Sequence, residues 1–396
     1  MVNIQENKSL KIMLFSFIFF MQTVDNIFTQ YQYAFQPQVK FLKNIFLLLS
    51  LVIMIYYILK KCKNVRELKF FNEILYFIIG IFVIALISLI LIIYNQKFNI
   101  ITINALIKIT FPLLVSFVLI NFYSIDELKL AMKISLLITF IGYIFFDLAF
   151  RGLTWQDIAS ISFVQSFSPF ESHYFSPQAM AFCCFFMYYR EDKLITFISA
   201  LFVFMTYKRL MIVAMIVLFL LPKIFNPDYK LKKIFNVVTI IFFVLSSYIL
   251  LYFLKAGNIS ILGITFDQLT MGRSYFYRLL METGFSSYGL NTSVIALGRD
   301  LEMDLIKLLL EVGFFGLFAY ISSIVLIGGQ KLYNMALVIF VLGNSLISHF
   351  FDITYFWIVF YITIYCIKNN INNANDKLFS INVYNLFNQL NMFIKK

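Results

Sequence analysis

The residues whose types could do chemistry crowd into one stretch, Lys255 to Leu317, the longest polar interval between apolar segments of this chain. It gathers Arg273, Arg278, Glu282, Arg299, Asp300, Glu302 and Asp304 before an apolar helical run resumes. A guanidinium is a planar fork of donors that matches phosphate oxygens, so arginines converging at one surface suit a phosphate or diphosphate. Arg273 and Arg278 are five apart in a segment with helical spacing and could grip one anionic group from adjacent turns. Lys208 and Arg209 sit in a Thr-Tyr-Lys-Arg turn between two short apolar runs, which implies a recessed site for them. The two histidines, His173 and His349, fall in separate loops. There is no Walker A sequence, no dinucleotide fingerprint, no His-x-x-x-His and no cysteine pair with metal-ligand spacing, so neither a cofactor nor a metal is called for. For each cation the plain alternative is a solvated or snorkelling side chain.

What must position these residues is membrane helix. The chain is 61% hydrophobic and 13% charged, with a mean hydropathy of +0.86. Soluble domains sit near half apolar and a quarter charged. The apolar runs are about 20 residues long, the length that crosses some 30 Å of hydrocarbon. Ten-residue alternating strands are absent, which excludes an outer-membrane barrel. The net charge of +12 comes mostly from Lys and Arg in short connectors, where orientation in the bilayer explains it without nucleic acid. Cys62, Cys183, Cys184 and Cys366 lie in or beside apolar runs and read as small hydrophobes.

Taken in order, the runs are 12–28, 41–59, 74–94, 103–122, 134–150 and 174–189, then 194–221, 237–254, 305–327, 332–348 and 351–367. The first carries Gln22, Asp25 and Asn26 near its far end. Run 194–221 holds Lys208 and Arg209 at its middle, where each would cost several kcal/mol at the centre of a bilayer. Read as two spans, it puts both cations at a surface and keeps the basic connectors 60–70, 190–193 and 222–233 on one side. The expectation is an all-α polytopic membrane protein of about 12 transmembrane helices with both termini cytoplasmic. One large extracytoplasmic loop, about 255–304, lies between helices 9 and 10. Residues 1–370 form one membrane domain, and 371–396 an Asn-rich cytoplasmic tail. On that topology Arg151, Asp157, Glu171, His173, Lys208, Arg209, His349 and Asp352 join the long loop on the outer face.

Three patches, met in order along the chain, resemble the bacterial O-antigen and capsule polysaccharide polymerases (Wzy-type) and the related O-antigen ligases. GRSYFYRLLMETGFSSYGLNTS, residues 272–293, is similar to the family's Gly-Arg start, helical stretch and glycine turn. DLIKLLLEVGFFGLFAYI, residues 304–321, resembles its apolar helix with a Glu-x-Gly-x-x-Gly step. TYKR at 206–209 is like its Ser-Arg or Lys-Arg turn. The resemblance implies glycosyl transfer at the outer face of the bacterial cytoplasmic membrane, in O-antigen or capsule biosynthesis. Donor and acceptor would be repeat units linked to undecaprenyl diphosphate, with membrane lipids around them and a chain-length regulator and flippase as pathway partners. No cofactor is implied, because the donor's diphosphate supplies the driving force.

Two jobs follow: neutralising the leaving diphosphate, and taking the proton from the attacking hydroxyl. The resemblance gives the first to Arg209, Arg273, Arg278, Arg299 and Lys208. The second falls to Glu302, with Asp304 or His349 behind it. One departure stands out. The ligases place a histidine just before the Glu-x-Gly-x-x-Gly helix, where this chain has Glu302, Met303 and Asp304. That favours a polymerase over a ligase; a flippase would favour charges at mid-span and paired repeats. Glu311, matching the family's Glu, reads equally as a residue that orders the loop. Gly313 and Gly316 read as close-approach positions between helices.

Overall fold

The computed structural model describes residues 8–62, 67–98, 100–148, 152, 154–161, 168–172, 174–206, 208–256, 260–261, 264–265, 270, 272–351 and 353–369. Almost every apolar run becomes helix. The elements are α1 (Lys8–Gln30), α2 (Gln36–Lys61), α3 (Phe71–Asn95), α4 (Ile100–Phe122) and α5 (Ile125–Gly142), the last continued by a π-helical turn at Tyr143–Leu148. Then come α6 (Trp155–Ala159), α7 (Ser176–Tyr188), α8 (Lys193–Thr206), α9 (Arg209–Ile224) and α10 (Lys233–Ala256). A two-residue hairpin follows, β1 (Ser260–Ile261) paired antiparallel with β2 (Ile264–Thr265), Ser260 opposite Thr265. The chain continues with α11 (Arg273–Glu282), α12 (Thr292–Leu297), α13 (Asp304–Gly328), α14 (Leu332–Ile347) and α15 (Thr354–Asn369).

Among the described residues seven helices are long and apolar enough to cross a membrane: α1, α2, α3, α4, α5 with its π turn, α10 and α13. This is a multi-pass membrane protein, but the expectation of about twelve transmembrane helices does not hold. Run 174–189 folds into 13 helical residues, and run 194–221 into helices of 14 and 16. Runs 332–348 and 351–367 give 16 each. Sixteen residues at 1.5 Å apiece reach about 24 Å, short of the ~30 Å of a bilayer core. For α7 and α15 the reason the sequence overcounts is burial. In α7 every residue from Ser176 to Met187 is buried, and in α15 every residue from Tyr355 to Ile367. A helix that is apolar all round satisfies a protein interior as well as lipid. With the count overturned, the even number of crossings that put both termini on one side is gone too. The tail 371–396 lies outside the described residues.

The chain divides into two compact units. The first comprises 1–71, 115–227 and 355–396; the second comprises 72–114 and 228–354. In the first, α1 packs along α5 and α2, and α7 along α8 and α9. A buried aromatic chain runs through it, with Phe15 against Phe19 and Tyr123, and Phe19 against Phe182 and Tyr355. Lys11 reaches Glu127 at 3.0 Å, tying the start of α1 to the capped start of α5. Near the other end, Gly142 lets α1 approach: a Cβ there would stand 2.2 Å from Thr23 Cγ2.

In the second unit α13 is the central helix. It packs against α10 and α14, and Gly80 of α3 approaches it so closely that a Cβ would meet Ser323 Cβ at 2.9 Å. By contrast α3 and α10 present Ile79, Phe82, Leu89, Ile241, Phe242 and Leu245 outward, as lipid-facing helices do.

Candidate active site

The second unit gathers most of the residues singled out in sequence, and α13 organises them. Its N-terminus is entered by the non-helical segment 298–303. Leu301 and Met303 turn in and are buried, while Arg299, Asp300 and Glu302 remain accessible. Asp304, the first residue of α13, is fully buried. Its Oδ2 accepts the backbone N–H groups of Phe350 (2.5 Å) and Phe351 (3.0 Å), and its Oδ1 lies 2.6 Å from His349 Nδ1. An ionised carboxylate only accepts, so Nδ1 carries the hydrogen of that bond and Nε2 is the ring's acceptor. That Nε2 stands 3.7 Å from Asp300 Oδ2. An edge-to-face contact of Phe351 with Tyr320, ring centres 5.0 Å apart, fixes the 349–351 segment against α13.

The arginines meet on Glu302. Arg299 Nη2 donates to Glu302 Oε1 at 3.0 Å, and Arg273 Nη2 lies 3.7 Å from Glu302 Oε2. The Arg299 guanidinium also rests on the Phe276 ring at 4.0 Å. Arg273 opens α11 after Gly272, whose φ of +82° favours glycine, and donates to the Thr270 carbonyl at 3.1 Å. Arg278 lies five residues further along α11, a rotation of roughly 140° from Arg273. Arg273 and Arg299 share Glu302. Arg299 does not pair with Asp300, its neighbour; Asp300 Oδ1 accepts from Lys307 at 2.7 Å.

Lys307 was not foreseen. It is a buried ammonium on α13 with a side chain 2% exposed. Its signal was present in the spacing: acids at 300, 304 and 311 are seven and three residues before it and four after, one face of a helix. Glu311, four residues on, is buried as well, and its place is structural. Its Oε2 accepts Asn291 N–H at 2.6 Å, and its Oε1 accepts Ser293 N–H at 2.9 Å and the Ser293 hydroxyl at 2.5 Å. The carboxylate thus holds the start of α12 onto α13, the loop-ordering role. Gly313 is no close-approach position. Its φ of +70° and ψ of −167° break α13, and a Cβ there would meet open space. Gly316 is tight, but against its own helix, where a Cβ would stand 2.3 Å from Val312 Cγ2; Ile84 of α3 is 3.9 Å away.

Lys208 and Arg209 belong to the first unit, at the break between α8 and α9. Both are partly buried. The Tyr143 hydroxyl, which donates its one hydrogen to the Phe170 carbonyl (2.7 Å), also lies 3.3 Å from the Met205 carbonyl at the end of α8 that leads into this turn. Asp157 is a capping residue: its carboxylate takes the Thr154 amide and hydroxyl, which hold it below the usual carboxylate range. Arg151, His173 and Asp352 lie outside the described residues.

No family model, no curated protein and no solved structure matches this chain. What the site can do is read from its parts. An imidazole oriented by a buried carboxylate is equipped to take a proton through Nε2. Two guanidiniums converging on one accessible carboxylate form a cradle that an incoming phosphate could enter by displacing that carboxylate.

Proposed function

We propose that the protein joins undecaprenyl-diphosphate-linked oligosaccharide repeat units into O-antigen or capsular polysaccharide, at the outer face of the bacterial cytoplasmic membrane. The reading is supported by Asp304, which holds His349, standing on the same short segment, 299–304, as the Glu302 and Arg299 that Arg273 joins. A glycosyl transfer from a lipid diphosphate needs a base and an anion cradle side by side.

In the reaction the acceptor's hydroxyl oxygen forms the new bond to the donor's anomeric carbon. Its proton passes to His349 Nε2, and Asp304 holds the ring in the tautomer that can receive it. The bond from the anomeric carbon to the diphosphate oxygen breaks, and both electrons leave on the lipid diphosphate. Arg273 and Arg299 take up that charge, with Glu302 as the counter-ion that occupies them between turnovers. Glu302 is therefore better suited to keep the cradle than to act as the base. Lys208 and Arg209 remain candidates for contacts to the same substrate class. The chain-length regulator and flippase of such a pathway would be its partners.

A specific observation favours a second reading. His349 reaches the N-terminus of α13 from a different loop, the position at which ligases of the similar family carry their histidine. The argument from its absence in sequence therefore weakens. A ligase would move a finished glycan to an acceptor lipid or protein with the same groups. Glycan profiling of a strain lacking the gene separates the two. Single repeat units accumulating on undecaprenyl diphosphate are expected; full-length unattached polymer would make the protein a ligase.

A further inference from the structure

The first unit holds a cavity of about 460 Å³ that the proposed reaction does not use. It lies between α8 and α9, which both pack on α7. Thr196, Phe197 and Ala200 line it from one face of α8, and Met215, Ile216 and Phe219 from α9. The Thr196 hydroxyl donates to the Asp192 carbonyl at 2.9 Å, so the wall presents almost only hydrocarbon and a thioether. Its volume falls in the range of about 300–1,000 Å³ in which pockets hold small molecules. Phe197, Ile216 and Phe219 are 63%, 48% and 40% exposed, so the cleft opens onto an apolar outer surface. In a multi-pass membrane protein such a surface meets hydrocarbon.

One end of the cavity is cationic. Lys193, three residues before Thr196 on the same face of α8, lines it together with Arg190. The Lys223 ammonium rests 3.9 Å from the centre of the Phe219 ring, and the Arg190 guanidinium 5.1 Å from the same centre. Arg190 also closes this end: its Nη2 donates to the Phe219 carbonyl at 2.6 Å and its Nε to the Met187 carbonyl at 2.9 Å. The two acids of the connector are engaged by other lysines, Glu191 by Lys129 at 2.8 Å and Asp192 by Lys133 at 2.5 Å. Among the described residues no carboxylate stands within ion-pair distance of Lys193 or Lys223.

An apolar cleft with cations at one end has the form of an anionic amphiphile, its tail between the helices and its head on the ammoniums. In a bilayer the tail gains little by entering, because lipid chains are as apolar as the walls. Selection therefore falls to the headgroup. A zwitterion brings a cation of its own to the lysines, whereas a phosphodiester of net negative charge meets them unopposed. Inorganic phosphate would leave the cleft unfilled, and an uncharged amphiphile would leave the lysines unmatched.

We propose that the cleft between α8 and α9 binds a membrane phospholipid of net negative charge, with one acyl chain against Phe197, Ala200 and Met215 and its phosphate at Lys193 and Lys223. None of these residues belongs to the Arg273–Glu302–Arg299 cluster, and the site holds whether or not the glycosyl-transfer reading does.

The test uses the full chain in a nonionic detergent, equilibrated with equal amounts of dioleoyl phosphatidylglycerol and dioleoyl phosphatidylcholine. Native mass spectrometry counts the lipid retained. Retention of phosphatidylglycerol over phosphatidylcholine by about tenfold is expected, at about fivefold or less for each lysine near the membrane surface. Lys193→Gln combined with Lys223→Gln should bring the ratio close to one. Lys60→Gln, at the end of α2, is the control for diffuse charge and should leave it unchanged. Ala200→Trp and Met215→Trp fill the cleft and should abolish retention; they are made separately, so that one suffices if the other fails to fold.

Equal retention of both lipids by the unaltered chain would mean an apolar surface without selection. The same loss of selectivity in Lys60→Gln as in the double variant would mean diffuse attraction. Unchanged retention in a folded Ala200→Trp or Met215→Trp protein would put the lipid elsewhere. Displacement by glycerol 3-phosphate would mean an anion site with no use for the tail. Displacement by an equal amount of undecaprenyl phosphate would make this a site for the carrier lipid. Each of these five results overturns the proposal. No turnover is measured, so the outcome stands apart from the strain's glycan profile.

Discussion

His349 Nδ1 and Asp304 Oδ1 lie 2.6 Å apart across 45 residues of sequence, and Asp304 is the more buried of the two. The carboxylate's other oxygen is held by two backbone amides, so it is rigidly placed and can keep the imidazole in one tautomer. Replacing His349 by Ala should lower turnover of lipid-linked repeats by about 10²–10⁴-fold, the usual contribution of a positioned base. Asp304→Asn is the sharper variant. Its oxygen would stay with the Phe350 and Phe351 amides, leaving NH₂ towards Nδ1 and forcing the hydrogen onto Nε2, the wrong nitrogen for a base. A fall in kcat with KM unchanged and normal membrane abundance is expected; wild-type kcat in both variants would remove the pair from the reaction.

Glu302 and the two arginines allow the roles of base and counter-ion to be told apart. Glu302→Gln keeps the shape and leaves the cradle formed, so chain extension should continue within a few-fold of wild type. Arg273→Ala and Arg299→Ala should each cost about 10²–10³-fold in kcat/KM, as loss of a preorganised donor does. Lysine at Arg273 should not restore it, since a point charge lacks the two-pronged geometry. A purified-protein assay on lipid-linked repeats reads all four; loss of turnover in Glu302→Gln with arginine variants active would reverse the assignment.

How far the sequence reaches can be judged on particular residues. The break at Lys208–Arg209 is where the charges demand it, because no continuous helix would bury both at mid-membrane. The number of spans was not legible, since α7 and α15 are apolar through contact with protein, and composition does not distinguish that from lipid. The site was half legible. Arg273, Arg299, Glu302 and Asp304 stand in one polar stretch and can be picked out by charge. That Glu302 would meet both arginines, and that His349 would close on Asp304, depends on which loop folds back onto α13, for which a single sequence gives no distance. The ion pair of Asp25 on α1 with Lys43 on α2 has a legible half: an acid near the end of a span is conspicuous, whereas Lys43, two turns into the next, passes for a snorkelling anchor.

Close packing of α1 on α5 gives a test of the fold itself. Gly142→Ala puts a Cβ 2.2 Å from the Thr23 methyl, a stiff β-branched atom with no room to retreat. The expected cost is about 1–3 kcal/mol, read as a lower unfolding temperature in detergent. Thr23→Ser removes that methyl and keeps the hydroxyl's bond to the Phe19 carbonyl, so the double variant should recover most of the loss. Additive losses in the double variant would mean that the two helices do not meet there.

Glu311 offers a way to ask whether the loop it anchors matters to the site. Three donors from Asn291 and Ser293 converge on its carboxylate, deep in α13. Ser287 also donates to its backbone carbonyl, so the segment 287–293 is fastened at two points. Gln at this position keeps the volume but offers one acceptor oxygen in place of two, and turns an NH₂ towards a donor. Leaving a buried donor unmet costs about 1–3 kcal/mol, so Glu311→Gln should lower thermal stability by that much. Because α12 leads directly into 299–304, loosening it should also weaken the Arg299–Glu302 contact and reduce turnover. The Glu311→Asp variant keeps both oxygens on a shorter stem and should retain more of each than Glu311→Gln. If Glu311→Gln loses turnover with stability intact, the carboxylate acts in the chemistry and its anchoring of the loop is incidental.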